Sequence, residues 1–357
     1  NANYKPLPFD FTRASSGTVV NQSGLIETVG SGIPRIDFQG NTKGALLLEP
    51  SRTNSIAYSN DLNASGWNTF STDGGTVTRT SNYGISPSGK QDSTRVVFTT
   101  QFVSLYYSFS GISGDASATM YVKGVAGEVI AFGFGSDVSF GQEFTLNGQW
   151  QRIEFNATST NTTLNINSWG STRDASDIEV YGVQLEAGSY ATSYIPTSGS
   201  AVTRVAETNR QTPPSGVIGQ TEGTMFVDCK VNAQGTYTGF SLNDNTTNNE
   251  VIIRFTTQDR IEYYLRSGGS QPIGGGTTLF DTDKRVKIAF AYKSGDSSVY
   301  INGAQVTTST TTTMPVNLSI IKFARGNSTA DFSGKTNDFK VYNTRLSNAE
   351  LAALTQV

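Results

Sequence analysis

Histidine is missing from all 357 residues of the chain. That absence excludes Ser–His and Cys–His nucleophile pairs, histidine-ligated zinc and the side chain that most often moves protons near neutral pH. Cysteine occurs once, at Cys229, so neither an intramolecular disulfide framework nor a cysteine-cluster zinc site can form. Cys229 lies in the alternating run TMFVDCKV and reads as a small core residue of a strand. Charge is sparse as well: Asp, Glu, Lys and Arg make up 15% of the chain, the net charge is −3, and no Lys/Arg block occurs. The electrostatic footprint of a nucleic-acid partner is therefore absent. The longest apolar runs, such as Ala45–Leu48, are far too short to cross a bilayer, so no membrane insertion is expected.

What remains is a chain rich in Ser, Thr, Asn and Gly, with 37 glycines and 11% aromatic residues. Such a composition suits short strands joined by tight turns and does not suit helix bundles. The length exceeds the ~100–200 residues of one domain, which predicts two or three.

The expected organisation is all-β, with two tandem antiparallel β-sandwiches after a strand-rich N-terminal segment. Residues 1–52 alternate around Phe9, Phe11, Ile36 and Phe38, but are too few for a core of their own; they are expected to pack on the next domain or on a partner chain. Residues 53–204 hold strand-like runs including STRVVF, SLYYSF, ATMYVK, VIAFGF, WQRIEF and IEVYGVQL, which predict a jelly roll. Residues 205–221, with Pro213-Pro214, read as an extended connector. Residues 222–357 read as a second sandwich, in which SSVYINGAQV is a hairpin turning at Asn302-Gly303. The last nine residues predict one short helix: Ser347 and Glu350 make a capping box, and Leu346 with Leu351 a hydrophobic staple.

Several segments carry a resemblance. KGALLLEPSRTN at Lys43–Asn54 and VQLEAGSYATSYIPT at Val183–Thr197, with DFTR at Asp10–Arg13 and PRIDF at Pro34–Phe38, resemble bacteriophage tail-fibre and virion-surface proteins, where such segments flank a carbohydrate-binding jelly roll. GQWQRIEF followed by DIEVYGVQLE is similar to the closing strands of carbohydrate-binding jelly rolls of families 4 and 9. KIAFAYKSGDSSVYING and FSGKTNDFKVYNTRLSNAEL resemble concanavalin A-like and laminin-G-like sandwiches.

A retaining glycosidase needs two carboxyls ~5–5.5 Å apart. The one-strand patterns E-x-D-x-E and E-x-D-x-x-E that concanavalin-like glycosidases use do not occur, and Asp177/Glu179 and Asp259/Glu262 do not replace them. The expectation is a non-enzyme. Sugar binding asks for less: an aromatic ring against a pyranose face, and polar side chains for the hydroxyls. Trp169, in the turn NINSWGSTRD beside Arg173 and Asp174, is the first platform candidate. Tyr106 and Tyr107 point to opposite faces, so only one of them faces outward. Trp150 opens a strand on its charged side and is either a platform or a rim residue under a loop. Trp67 is read as sealing one end of the sandwich.

In the second sandwich, Tyr263, Tyr264, Arg266 and the loop 243–249 are the polar and aromatic candidates, with a solvated hairpin tip as the plainer reading of the loop. The run Thr307–Thr313 reads as an exposed strand edge available to a neighbouring subunit. The resemblance further implies a structural Ca2+, with Glu49, Asn54 and Glu186 as position-based ligand candidates. It also implies cell-surface or extracellular polysaccharide and other virion proteins as partners, a homo-oligomer such as the trimer common among fibres, and location on a virion or outside a cell. A purely structural virion protein and a secreted bacterial polysaccharide-binding protein are the alternatives.

Overall fold

The computed structural model describes residues 9–110, 112–135, 140–159, 163–170, 172–232, 237–256, 260–277 and 284–357. Two compact units emerge, and the chain passes between them more than once. One unit is built from Asn1–Ala14, Ser31–Pro50 and Ala206–Val357, the other from Ser15–Gly30 and Ser51–Val205. The N-terminal segment is thus not one body.

Its strands are β1 (Asp10–Thr12), β2 (Gly17–Val20), β3 (Ile26–Val29), β4 (Arg35–Asp37), β5 (Ala45–Leu48) and β6 (Arg52–Asn54). The jelly-roll unit continues with β7 (Trp67–Ser71), β8 (Val77–Thr80), β9 (Thr94–Phe98), β10 (Val103–Ser108), β11 (Gly114–Lys123), β12 (Val129–Gly135), β13 (Gln142–Thr145), β14 (Gln151–Ser159), β15 (Thr163–Asn167), β16 (Asp177–Ala187) and β17 (Val202–Arg204). Two five-stranded antiparallel sheets, β13-β12-β15-β10-β7 and β14-β11-β16-β9-β8, enclose its core. Leu105, Met120, Val122, Phe132, Phe134, Ile166 and Val180 are fully buried between them, one from every second position as strand alternation requires. Trp67 is a core residue at the start of β7.

The second sheet of the jelly roll is covered on its other face by the segment after β16. Gln184 accepts from the Ile195 amide at 2.6 Å, and Glu186 accepts from the Thr192 amide and hydroxyl at 2.9 and 2.5 Å. Asn54 donates to the carbonyls of Val183 and Ile195 and accepts from the amides of Ile56 and Leu185. Arg204, 1% exposed, donates to Thr192 and Ser193. Tyr181 packs edge-on to Tyr194 at 5.4 Å, and the Tyr194 hydroxyl reaches Asn60 at 2.6 Å. Gln184 and Glu186, at the end of β16, thus help fix the backbone of residues 188–197, which has no strand ladder to satisfy it.

The other unit adds β18 (Thr208–Gln211), β19 (Glu222–Val231), β20 (Thr238–Asn243), β21 (Glu250–Phe255), β22 (Ile261–Ser267), β23 (Ser270–Gly276), β24 (Val286–Lys293), β25 (Ser297–Ile301), β26 (Ala304–Ser309), β27 (Ile320–Lys322), β28 (Gly334–Tyr342) and the helix α1 (Asn348–Thr355). Its two seven-stranded sheets, β1-β18-β27-β20-β21-β22-β23 and β26-β25-β24-β19-β28-β5-β4, both recruit N-terminal strands. Where the sequence suggests a connector, β18 pairs with β1 and β27; the Pro213-Pro214 pair follows the strand instead of replacing it. Asn302 and Gly303 take φ of 48° and 82°, as a two-residue I′ turn needs. Ser347 caps α1, with the reciprocal Glu350 bond to its amide at 2.7 Å. The helix lays Leu351 on Phe226, Ala289, Ala291 and Tyr300, a small core on the far side of the sheet. Cys229 is buried in the main core.

Within the same unit Glu207 accepts from Arg13 Nη1 and Arg35 Nε at 2.7 Å each, and from the Glu49 amide at 2.9 Å. Arg35 also pairs with Glu49 at 2.7 Å. All four side chains are excluded from water.

Candidate functional site

On the jelly-roll sheet β13-β12-β15-β10-β7, Leu105, Leu164 and Ile166 point into the core. Alternation sends their neighbours Ser104, Tyr106, Asn165 and Asn167 to the opposite face. The register lines them up across strands: Ser104 stands between Asn167 and Phe70, and Tyr106 between Asn165 and Asn68. Ser104, Asn165 and Asn167 are fully buried although they face away from the core. Ser104 Oγ has no hydrogen-bond partner among the described residues.

Asn167 is the hub of this face. Its carbonyl oxygen accepts from the Trp169 amide at 3.1 Å and from Arg173 Nη1 at 2.9 Å, while its amide donates to the Phe140 carbonyl at 2.9 Å. Arg173 extends to Glu143 at 3.1 Å, and Thr172 donates to the same carboxylate oxygen at 2.8 Å. The Thr172 hydroxyl, and after it Arg173, hold the Glu143 carboxyl below the usual glutamate range. Beside this charged edge, Trp169 stacks on Phe70 with centroids 5.8 Å apart and planes at 18°. Phe102 meets Trp169 edge-on at 5.9 Å. Phe70 and Phe102 are 43% and 42% exposed, high for phenylalanine, so three rings form an apolar wall open to solvent.

Of the residues singled out in the sequence, Trp169 and Arg173 come together here, and Tyr106 lies on the same face of the sheet, beside Asn165 and Asn68. Tyr107 lies on the opposite side: its ring packs edge-on to Trp67 at 5.4 Å and its hydroxyl accepts from the Ala57 amide. Trp150 stands beside the other sheet, where its indole nitrogen donates to the Ile85 carbonyl at 3.0 Å; the rim reading fits that position. Phe70, Phe102, Ser104, Asn165, Asn167 and Glu143 escaped the sequence reading. Phe70 sits in WNTFS, whose polar residues hide the strand, and nothing local in SLYYSF or TLNIN says that they lie side by side.

The three position-based calcium candidates do not fit a cation. Glu49 is turned to Arg35, Asn54 gives its oxygen to two backbone amides, and Glu186 is engaged by Thr192. An oxygen already accepting from an arginine or from fixed N–H groups is not placed to face a metal. Nor does any group of three or more acidic or cysteine side chains with metal-holding geometry occur among the described residues.

In the other unit, Tyr263 is a core residue, while Tyr264 faces outward, donates to Glu262 at 2.8 Å and stacks under Arg254 at 4.7 Å. Arg266 pairs with buried Glu250 at 3.2 Å. In the 243–249 loop, Asp244 bonds Thr246 and Asn249, so the loop closes on itself. Asp259 lies outside the described residues.

Residues 206–352 match the concanavalin A-like lectin/glucanases superfamily. That match places a laminin-G-like domain in the unit that contains β18 to β28. No curated protein sequence matches the chain. Among solved structures, the chain is similar to the Ruminococcus gnavus IT-sialidase CBM40 bound to alpha2,3 sialyllactose: 15% identity, 38% of this chain, 84% of that one, TM-score 0.34. It is also similar to a leech intramolecular trans-sialidase, at 18% identity over 39% of this chain and 24% of that one, TM-score 0.34. The binding domain of Botulinum neurotoxin DC, in complex with SialylT, is 14% identical over 42% of this chain and 39% of that one, TM-score 0.33. Likenesses this distant carry no argument about ligands.

Proposed function

We propose that this protein is a non-enzymatic glycan-binding protein, displayed on a virion surface as a fibre, adhesin or capsid fibre. The observation that carries the binding reading is the open ring wall of Phe70, Trp169 and Phe102 beside the Asn167–Arg173–Glu143 network. Aromatic faces stack on the C–H face of a pyranose, and a charged, hydrogen-bonding edge orients its hydroxyls. Catalysis lacks support: no histidine occurs, and the carboxylates Glu143 and Glu207 serve arginines. The virion assignment rests on the resemblance of the Lys43–Asn54 and Val183–Thr197 segments to phage surface proteins, and multiple weak sites on an oligomer such as a trimer would supply avidity.

A polysaccharide array with the full chain tests the binding reading. Retention on at least one bacterial surface glycan, lost in Trp169→Ala and Phe70→Ala, is expected. Absence of binding to every glycan, together with incorporation into particles, would favour a purely structural virion role. Secretion without particle association would favour an extracellular bacterial polysaccharide-binding protein.

A further inference from the structure

A second recess lies in the laminin-G-like unit, far along the chain from the residues above. Strands β24, β19 and β28 form its floor, the turn between β4 and β5 forms one wall, and the end of α1 at Leu354 forms the other. The cavity measures about 450 Å³, inside the range of roughly 300–1,000 Å³ typical of small-ligand sites. Its floor follows from register: Lys287, Asp228 and Asp338 stand in one row across the strands, and Ala289, Phe226 and Lys340 in the next.

The charges of this recess are unevenly matched. Asp228 is held by both arms of Arg285, and Asp338 by Lys340. Asn337 donates to Asp228 at 3.2 Å and accepts from Asn41 at 2.6 Å, which ties the turn to the floor. Two cations have no carboxylate of their own among the described residues. Lys43 has no side-chain partner there, and Lys287 donates only to the Gln356 carbonyl, at 2.5 Å. An ammonium has three donors, so both retain free ones. Gly44, next to Lys43 in the turn, takes φ of 72° and lies so close to Ile36 that a Cβ there would sit 2.7 Å from it.

We propose that this recess binds a carboxylated pyranose, one unit of an acidic polysaccharide. Lys43 and Lys287 would take the carboxylate, and the oxygens of Asp228, Asp338 and Asn337 would accept sugar hydroxyls. A dense anion such as sulfate suits the recess less well, because two carboxylates line it. A neutral sugar leaves both cations unanswered. This site is independent of the aromatic wall in the jelly roll, and either can stand without the other.

Titration calorimetry of the full chain with trigalacturonic acid, its neutral methyl ester and inorganic sulfate decides the matter. Trigalacturonate binding that weakens as salt rises, exceeds binding of the ester and of sulfate, and persists in Trp169→Ala is expected. Lys43→Gln should weaken it about fivefold, the scale of one exposed charge contact, with Lys43→Arg restoring it at unchanged melting temperature. No binding, equal binding of ester or sulfate, indifference to Lys43→Gln, or loss in Trp169→Ala would each overturn the proposal.

Discussion

Arg13, Arg35, Glu49 and Glu207 show what water exclusion does to charged residues. Burial by itself would lower the basicity of Arg35; Glu49 and Glu207 more than offset it and hold the guanidinium charged. Removing one partner leaves the others buried and uncompensated. Glu207→Gln is therefore expected to destabilise its unit by ~3–5 kcal/mol, read by urea denaturation. Glu143 behaves differently because it is exposed. Its folded pKa lies below the ordinary glutamate value, so whatever it contributes is present above that value and lost as pH falls through the lowered one. Glycan binding that depends on Arg173 should hold level from neutral pH to about pH 5 and decline only below ~4.3, in a pH series of the wild type against Glu143→Gln. Trp169 and Arg173 were legible in the sequence because a tryptophan in a Gly/Ser turn beside a charge pair is conspicuous. Phe70, Phe102 and Asn167 were not, since only the pairing of β7, β10 and β15 brings them to one face.

Among the elements, α1 separates local from tertiary stabilisation. Its capping box is complete within four residues, whereas Leu351 finds Phe226 and Tyr300 only through the fold. Ser347→Ala should cost ~1 kcal/mol, and Leu351→Ala ~2–5 kcal/mol, both measured as shifts in denaturant midpoint at constant m-value. Strands such as β16, β19 and β24 are legible almost to their ends, whereas β11 begins four residues before the run ATMYVK that announces it. Missed were β7 and β8, whose outward positions carry mixed polar and aromatic residues, and β23, whose Gly274–Gly276 run looks like a loop but pairs with β22. At Gly275 a side chain would be crowded: a Cβ there would sit 2.6 Å from the Tyr263 hydroxyl oxygen and 2.8 Å from its ring.

At the scale of the molecule, strand recruitment overrides sequence order. The laminin-G-like unit completes its sheets with β1, β4 and β5, and buries Leu48 in its main core. A fragment beginning at residue 222 lacks those strands and leaves one side of β28 without its partner β5. Such a fragment is expected to aggregate or to melt well below the full chain, as light scattering and calorimetry would report. The jelly-roll unit has its own signature in alkali. Burial pushes the Tyr181 hydroxyl up to about 12, and Tyr194 well above its ordinary value. Raised folded values mean stability present below ~10 and lost as pH rises through the folded ones. Unfolding of this unit is expected to coincide with late phenolate absorbance in that window. The amino-acid sequence by itself determined the fold class, most strands, the capped helix and the absence of histidine chemistry, because alternation, turn residues and capping are written within a few neighbouring positions. Tertiary structure alone decided which N-terminal strands serve which sandwich, why Glu49, Asn54 and Glu186 are braces rather than metal ligands, and where three rings gather, because each depends on contacts between residues tens to hundreds of positions apart.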